Sequence, residues 1–426
     1  MALLIVIIKL RVLDLTAFCS RYQEIKKNAH SHNFFVYSTF LMAFVVMSPV
    51  VNYLNFRGIY IIIALFIVIF FISTMKRKRL KWWFVLLASP MLITSSITSL
   101  YWEDARYMLS LVFFIFSLYM LQYLNIKDVG KVVDVASWFL LLVIAMAVVG
   151  FIIALVGFDP LLEFPNPDGR SNYLFYTTLS NAYFGNFIRP SGIYDEPGAL
   201  SFYICFVAAM RHLLKRDNKL TWALLTLGFI TLSLAHFIYF IFHLSAERID
   251  RRNLLRFLIV GSLVVFIALS TGFHQIFSDK LVSRLAVTDN GTIVGDNRSF
   301  RALNVIDLIS QKTYVIWYGA DPSCRFEYKV CKQKFPMMGE NPLAPMALEG
   351  LLVSWPYYLI VISLLVSPIF GRRYLVCMGI GLLLMQRPSV TSMSAAMVTV
   401  LVVFLMINSI SLYTRYAKKN SKNCIN

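Results

Sequence analysis

The stretch whose residue types best suit chemistry runs from Arg189 to Ala199 and reads Arg-Pro-Ser-Gly-Ile-Tyr-Asp-Glu-Pro-Gly-Ala. It holds one arginine and two adjacent acids, Asp195 and Glu196. Its prolines and glycines favour a bent backbone over a helix or strand. An apolar segment, Leu200 to Leu214, follows at once. Charge at the edge of a membrane-length segment is costly and therefore indicates a functional site, with an ordinary polar loop as the alternative interpretation.

Arg298 and Arg301 are three residues apart at the start of an amphipathic stretch, Arg298 to Gln311. A helix would place both arginines on one face. Two guanidinium groups on one face suit a phosphate or pyrophosphate, because each offers two parallel hydrogen bonds. Contact with lipid headgroups is the alternative. We expect Asn304 and Asp307 beside the arginines and an opposite, packed face of Phe300, Leu303, Ile306 and Ile309.

Further polar residues stand at the predicted ends of apolar runs. Gln386, Arg387 and Pro388 interrupt an apolar run at membrane depth. We interpret Gln386 and Arg387 as substrate-binding residues rather than as a turn marked by a snorkelling arginine. His274 begins a long hydrophilic segment, and Glu340 stands near its end.

Metal and nucleotide motifs are absent from the sequence. His236 and His243 are seven residues apart, and no third ligand is nearby in the sequence, so we interpret them as core residues. The six cysteines form no CxxC pair, but Cys324 and Cys331 share one hydrophilic segment and could form a disulfide in an oxidising compartment. There is no P-loop and no His-Glu-x-x-His. We therefore expect no metal, no cofactor and no nucleotide-driven chemistry.

The elements that must position these groups are apolar. Of 426 residues, 58% are hydrophobic and 15% are charged, with a mean hydropathy of +0.69, whereas soluble domains carry about 25% charged residues. The net charge of +18 would suggest nucleic acid for a soluble protein, but orientation in a membrane also requires cytoplasmic lysine and arginine. The sequence predicts an all-α integral membrane protein and no nucleic-acid partner.

Hydropathy predicts about twelve transmembrane helices in one polytopic domain, residues 1–426, with both termini cytoplasmic. Residues 158–198 and 274–346 are predicted to be two large outer loops with short interfacial helices. The predicted spans are Phe34–Val51, Ile59–Met75, Trp82–Leu100, Tyr107–Leu124, Val135–Gly157, Leu200–Leu214, two within Leu220–Ala246, Phe257–Phe273, Ala347–Phe370, Tyr374–Gln386 and Ser392–Leu412.

The segment Leu220 to Ala246 decides this topology. Its length suffices for one span, but both of its flanks are basic, and two cytoplasmic flanks require an even number of crossings. We predict a hairpin of two short helices that turns near Ser233 to His236. The cytoplasmic segments then hold 26 of the 40 lysines and arginines, and the outer segments hold 14.

The stretch Arg189 to Pro197, placed at the end of an outer loop and before a span, resembles the O-antigen polymerase and ligase superfamily. Three other stretches are similar to that superfamily and follow in its order: Thr231-Leu232-Ser233, Arg298 to Gly319, and Glu340-Asn341-Pro342 with Glu349-Gly350-Leu351. Ligases of the superfamily typically carry a histidine where this chain has Glu340. The resemblance therefore favours a Wzy-type repeat-unit polymerase.

This resemblance implies glycosyl transfer between undecaprenyl-pyrophosphate-linked glycans at the periplasmic face of a bacterial inner membrane, without metal or cofactor. Membrane lipid and a chain-length regulator protein are the further partners that it implies. A ligase acting on a lipid or protein acceptor and a flippase or exporter of lipid-linked saccharides are the alternatives. Among the carboxylates, Glu196 is the first candidate for the general base and Glu340 the second. The expected catalytic residues are Arg189, Glu196, Arg298, Arg301 and Glu340, and the expected substrate-binding residues are Asp195, Gln386, Arg387 and His274.

Overall fold

The computed structural model describes residues 80–165, 171–181, 183–184, 187–247, 297–322, 341–388 and 393–423. Within these ranges the chain is mostly helical, as the sequence predicts. The helices are α1 (Trp82–Trp102), α2 (Val112–Leu121), α3 (Ile126–Leu155), α4 (Pro197–Leu213), α5 (Asn218–Leu227), α6 (Leu234–Ala246), α7 (Asn297–Gln311), α8 (Val315–Tyr318), α9 (Ala344–Glu349), α10 (Leu351–Val366), α11 (Leu375–Gln386) and α12 (Met393–Asn423). The strands are β1 (Leu162–Pro165), β2 (Ser171–Phe175), β3 (Thr178–Ser180), β4 (Tyr183–Phe184) and β5 (Phe187–Ile188). The predicted spans Phe34–Val51, Ile59–Met75 and Phe257–Phe273 lie outside the described ranges.

Three helical segments of the described chain are long and apolar enough to cross a membrane: α1, α3, and α10 with the 3-10 turn that extends it to Phe370. Helix α3 begins well before the predicted Val135, because the Asn125 side chain caps it by accepting from the backbone N–H of Asp128 at 2.9 Å. Helix α2 is shorter than the predicted span, since residues 105–111 form turns. Large apolar side chains of α3 point outward, as a helix in hydrocarbon requires.

The apolar segment between the two basic clusters is a helical hairpin, which confirms the prediction of two short helices. A 3-10 turn, Gly228–Thr231, ends α5, and the backbone reverses at Leu232, whose φ of 48° is left-handed. Nε2 of His236 in α6 lies 2.7 Å from the carbonyl oxygen of Leu225 in α5. The two helices therefore run antiparallel, so the start of α5 and the end of α6 lie at the same end.

Helices α4, α6 and α11 pack together, and two arginines show their relative directions. Arg373, before α11, donates from Nη2 to the carbonyl oxygen of Leu213 at the end of α4 at 3.2 Å. Arg372 donates to the carbonyl oxygen of Ser245 near the end of α6. Helix α11 is therefore antiparallel to α4 and α6. We call the end that holds the starts of α4 and α6 the loop end, and the opposite end the basic end.

A buried arginine joins α3 to the basic end. Arg211 in α4 is 3% exposed, and its Nη1 lies 3.3 Å from Oδ1 of Asp134 in α3. Its Nε donates to the hydroxyl of Thr221 in α5 at 3.0 Å. Arg216 pairs with the other Asp134 oxygen at 3.0 Å. A buried guanidinium requires such a set of partners, and this one fixes α3 antiparallel to α4.

Helices α10 and α12 also run between the loop end and the basic end. The hydroxyl of Tyr357, early in α10, donates to the carbonyl oxygen of Leu384, late in α11, at 3.0 Å. The hydroxyls of Tyr374 and Ser409 lie 3.1 Å apart, which places the later part of α12 at the basic end. The described helices therefore alternate between the ends in the order that the predicted spans require.

The first long hydrophilic segment, residues 158–198, contains strands rather than the predicted interfacial helices. β1, β2 and β3 form an antiparallel sheet in that order, and β4 pairs with β5. Its aromatic and threonine side chains favour strands. The hydroxyl of Thr177, between β2 and β3, donates to the carbonyl oxygen of Met146 in α3 at 2.7 Å. This contact fixes the sheet to the loop-end part of α3.

The second long hydrophilic segment, residues 274–346, includes short helices, as predicted. The predicted packing face of α7 is only partly correct, because Ile309 packs inward but Leu303 and Ile306 do not. Leu303 and Ile306 are 61% and 52% exposed, whereas Val305 and Leu308 are buried in a small core with Val315, Ala320 and Ala347. The buried face is one position away from the expected one, because α8 and α9 cover that side of the helix.

A close glycine contact joins α8 to the start of α10. Gly350 has φ +74°, and a Cβ there would lie 2.2 Å from the carbonyl oxygen of Trp317. Nε1 of Trp102, at the end of α1, donates to the carbonyl oxygen of Tyr318 at 2.9 Å, and the Tyr107 hydroxyl donates to that of Ala320 at 3.0 Å. The described part of the second hydrophilic segment therefore lies at the loop end, as that of the first one does.

Candidate functional site

The stretch Arg189 to Ala199 forms a tight turn at the loop end, as its prolines and glycines predict. The backbone N–H of Leu179 donates to the Gly192 carbonyl oxygen at 2.7 Å, and the N–H of Ser191 donates to that of Leu179 at 2.8 Å. Gly192 has φ +64°, and a Cβ there would lie 2.4 Å from a methyl group of Val143 in α3. Only glycine fits this position, so the sheet and α3 together fix the turn.

Arg189 extends from this turn to the helical hairpin. Its Nη2 donates to the carbonyl oxygens of Thr231 and Leu232 at 3.3 and 3.0 Å. Its own carbonyl oxygen accepts from the Ser180 hydroxyl at 2.9 Å. Carbonyl groups at the end of a helical turn carry partial negative charge and favour a cation. The contact brings together two stretches that the resemblance singled out separately.

Glu196 and Arg387 form an ion pair, through Oε1 of the carboxylate and Nη2 of the guanidinium. Glu196 immediately precedes α4, and Pro197 occupies the first position of that helix, where its missing N–H costs no hydrogen bond. Arg387 immediately follows α11, and its N–H donates to the carbonyl oxygen of Leu383 at 2.9 Å. The antiparallel packing of α4 and α11 therefore creates the pair.

Gly198 provides the space for this guanidinium. A Cβ at Gly198 would lie 2.6 Å from Nη2 of Arg387 and 3.2 Å from its Cζ. The planar group thus lies against the first turn of α4. The sequence predicts Gly198 only as a turn residue, because its packing against Arg387 leaves no pattern in the neighbouring residues.

The pair is sheltered but still accessible. The side chains of Glu196 and Arg387 are 13% and 22% exposed. An ion pair in such surroundings is screened less than a surface pair and interacts more strongly with another charge. An anionic ligand that reaches the loop end can therefore compete with Glu196 for the guanidinium.

Tyr194 packs on the buried side of the turn. It is fully buried, and its ring stacks on Tyr203 with centroids 4.9 Å apart. Burial, with a smaller contribution from Tyr203, raises the pKa of the Tyr194 hydroxyl well above its usual value. The phenol therefore stays neutral at physiological pH and is not a base.

The remaining predicted residues fall into two groups. Asp195 and Gln386 are half-buried at the loop end, beside Glu196 and Arg387 respectively, and Arg301 is half-buried in α7 at the same end. Arg298 lies in the first turn of α7, where the described part of the chain does not include its side chain. Residues outside the described ranges include His274 and Glu340 of the predicted site and both members of the predicted disulfide, Cys324 and Cys331.

An apolar cavity of about 130 Å³ lies between α1, α2, α10 and α12. Trp83, Met91, Phe114, Trp355 and Phe404 are among the residues that line it. These walls suit a hydrocarbon chain and not a sugar, because they offer few hydrogen-bonding groups.

The loop end thus combines guanidinium groups from separate elements with a carboxylate in a partly dry setting. Such an arrangement can bind a phosphate-bearing ligand and can accept a proton beside it. In the comparisons with known proteins, no family model, no curated protein and no solved structure matches this chain.

Proposed function

We propose that the chain is a glycosyltransferase that polymerises undecaprenyl-pyrophosphate-linked oligosaccharide repeat units at the periplasmic face of a bacterial inner membrane. The Glu196–Arg387 ion pair at the loop end is the observation that carries this proposal. It joins a carboxylate and a guanidinium in partly sheltered surroundings, and Arg189 and Arg301 lie at the same end. The resemblance to O-antigen polymerases supplies the reaction type.

In the proposed reaction, the bond between the anomeric carbon of the growing chain and its pyrophosphate breaks. A bond forms between that carbon and a hydroxyl oxygen of the incoming repeat unit. The hydroxyl proton passes to a carboxylate, with Glu196 as the first candidate and Glu340 as the second. The electron pair leaves with undecaprenyl pyrophosphate, whose developing charge fixed arginines stabilise.

The ion pair suggests how binding and proton transfer are linked. A pyrophosphate that accepts the hydrogen bonds of Arg387 would leave Oε1 of Glu196 without them. That oxygen then becomes available to the attacking hydroxyl. Lysine at position 387 would keep the charge but lose the planar fork that serves both partners.

We further propose twelve transmembrane helices with the loop end in the periplasm and both termini in the cytoplasm. Two observations support this arrangement. The described parts of both long hydrophilic segments lie at the loop end, and the hairpin α5–α6 returns to the basic end. The cluster Lys215 to Lys219 and the arginines at 372 and 373 then face the cytoplasm, as the distribution of basic residues requires. The apolar cavity and the outward apolar faces would accept the polyprenyl chains.

The test uses a strain in which this chain is the sole polymerase. We expect Arg189→Lys, and the double variant Arg298→Lys/Arg301→Lys, to display single repeat units but no long chains at normal protein level. Gel analysis of surface polysaccharide measures this. The control is Arg106→Lys, because Arg106 pairs with Asp104 at 2.7 Å on the surface and is 52% exposed. The control should keep long chains.

Each alternative function gives a different pattern. A disabled flippase leaves no displayed sugar at all. A disabled ligase leaves full-length polymer on its lipid carrier. Long chains at normal length in both variants would overturn the assigned arginine roles.

A further inference from the structure

A second cluster of polar side chains lies at the basic end, away from the candidate site. It consists of His212 in the last turn of α4, His243 in the last turn of α6, and Glu247 just after α6. One ligand atom from each residue lies within 4.8 Å of the other two. Helix α4 separates this cluster from Glu196 by about 24 Å, at 1.5 Å per residue.

The ligand atoms of the cluster lie close together, and the described part of the chain shows no hydrogen bond among them. Oε1 of Glu247 lies 3.5 Å from Nδ1 of His212 and 3.9 Å from Nε2 of His243. His243 is completely buried, and its Nε2 makes no hydrogen bond within the described part of the chain. A buried polar atom of this kind requires an explanation, because leaving it without a partner is unfavourable.

We propose that His212, His243 and Glu247 bind a divalent transition-metal ion of the zinc type. Two imidazole nitrogens and one carboxylate oxygen are a common ligand set for Zn²⁺. Tetrahedral ligands at about 2.0–2.1 Å from the metal are roughly 3.3–3.5 Å from one another. The carboxylate oxygen lies 3.5 and 3.9 Å from the two nitrogens, and all three ligand atoms lie within 4.8 Å of one another. Side-chain movements of about 1 Å would bring them to that geometry. Water can complete the coordination.

Neighbouring groups already orient the ligands. The hydroxyl of Tyr239 lies 3.3 Å from Nδ1 of His243, so it can accept the proton of Nδ1 and leave the lone pair of Nε2 for the metal. Asn218 donates from Nδ2 to Oε2 of Glu247 at 3.4 Å, which leaves Oε1 facing the histidines. Metal-binding histidines and carboxylates typically make hydrogen bonds of this kind to neighbouring groups.

The surrounding helix ends hold the cluster together. Arg373 and Arg372 each donate to a backbone carbonyl oxygen at the ends of α4 and α6, so their charges are directed at the backbone. The metal would join the ends of these two helices, and Asn218 at the start of α5 would support it. This inference does not depend on the proposed reaction at the loop end.

The test uses the full chain in detergent, purified with a tag that contains no histidine. Equilibrium dialysis against Zn²⁺ should give one bound ion per chain, and Co²⁺ should give the visible absorption of a tetrahedral nitrogen and oxygen site. We expect Glu247→Gln and His212→Gln each to weaken binding by at least about 100-fold. Glu103→Gln, at the loop end, is the matched control and should bind as the original chain does.

A second measurement guards against variants that fail to fold. Zn²⁺ should raise the Tm of the original chain and of Glu103→Gln, because a ligand that binds the folded state stabilises it. It should not raise the Tm of Glu247→Gln. Absence of a bound ion and of a Tm shift in the original chain would overturn the proposal, as would unchanged binding in folded Glu247→Gln and His212→Gln.

Discussion

The side chains of the candidate site are held in position by residues on other elements. Arg387 reaches Glu196 across the contact between α11 and α4, and Gly198 leaves room for its guanidinium. Arg189 is bound to the carbonyl oxygens of Thr231 and Leu232. Each arginine is therefore fixed before any ligand arrives, which reduces the reorganisation needed to stabilise a developing charge.

A charge exchange separates a structural from a catalytic role of the Glu196–Arg387 pair. Each single variant, Glu196→Arg or Arg387→Glu, should lower stability by roughly 1–3 kcal/mol and abolish long chains, because it places two like charges together at a partly buried contact. The double exchange restores an ion pair, so we expect it to recover the Tm. Long chains should stay absent, because the carboxylate and the guanidinium have changed places. Gel analysis and thermal unfolding in detergent measure the two effects.

The opposite result would contradict a catalytic role of the pair. Recovery of both Tm and long chains in the double exchange would show that the pair only holds α4 to α11. The amounts of the single-variant and double-variant proteins are compared, so that a loss of protein is not taken for a loss of activity.

Among the elements, the second hydrophilic segment depends on its glycine contact. Gly319 and Gly350 both have positive φ, and their backbones approach so closely that no Cβ fits at either position. The contact orients α7 and therefore Arg301. The same elements are docked on the end of α1 through Trp102 and Tyr107.

We expect Gly350→Ala to separate α8 from the start of α10. Its φ of +74° and ψ of 159° are nearly restricted to glycine, and strain of this kind costs about 1–3 kcal/mol before any clash. Gly371→Ala is a matched control, because Gly371 also has positive φ (+132°) but has no atom within 4 Å of its added Cβ. Limited proteolysis and Tm should show a larger effect for Gly350→Ala. Equal effects of the two variants would contradict the role of the contact.

The whole molecule has two chemically different ends. The loop end carries the strands, α7 to α9 and the Glu196–Arg387 pair. The basic end carries the Arg211 network and the His212, His243 and Glu247 cluster. Helices α3, α4, α10, α11 and α12 connect the ends, so each end can contact a different compartment.

Single cysteines test this division in intact cells, in a background without the native cysteines. Positions Glu103 and Asp159 at the loop end, and Lys215 and Lys219 at the basic end, are all exposed. We expect an impermeant thiol reagent to label positions 103 and 159 from outside and to label 215 and 219 only after permeabilisation. Labelling of one position from each end under the same conditions would contradict the proposed topology.

Several features of this protein can be predicted from its sequence. Long apolar runs predict helices because an isolated backbone in hydrocarbon must satisfy its own hydrogen bonds. The basic flanks of the segment between Lys219 and Arg248 predict the hairpin, because charge is costly to move across a membrane. Proline and glycine predict the turn after Arg189, because their backbone preferences are local.

Other features depend on contacts between distant elements, and only the tertiary structure shows them. The packed face of α7 depends on which side α8 and α9 cover, and the Glu196–Arg387 pair depends on the antiparallel packing of α4 and α11. Glu247 follows His243 by one helical turn, but only the packing of α4 against α6 brings His212 to this pair. The sequence by itself therefore determined the apolar helices and the hairpin, but not the strands of residues 158–198. Three-dimensional packing decided which polar side chains of separate elements meet, because their separation along the chain carries no periodic signal.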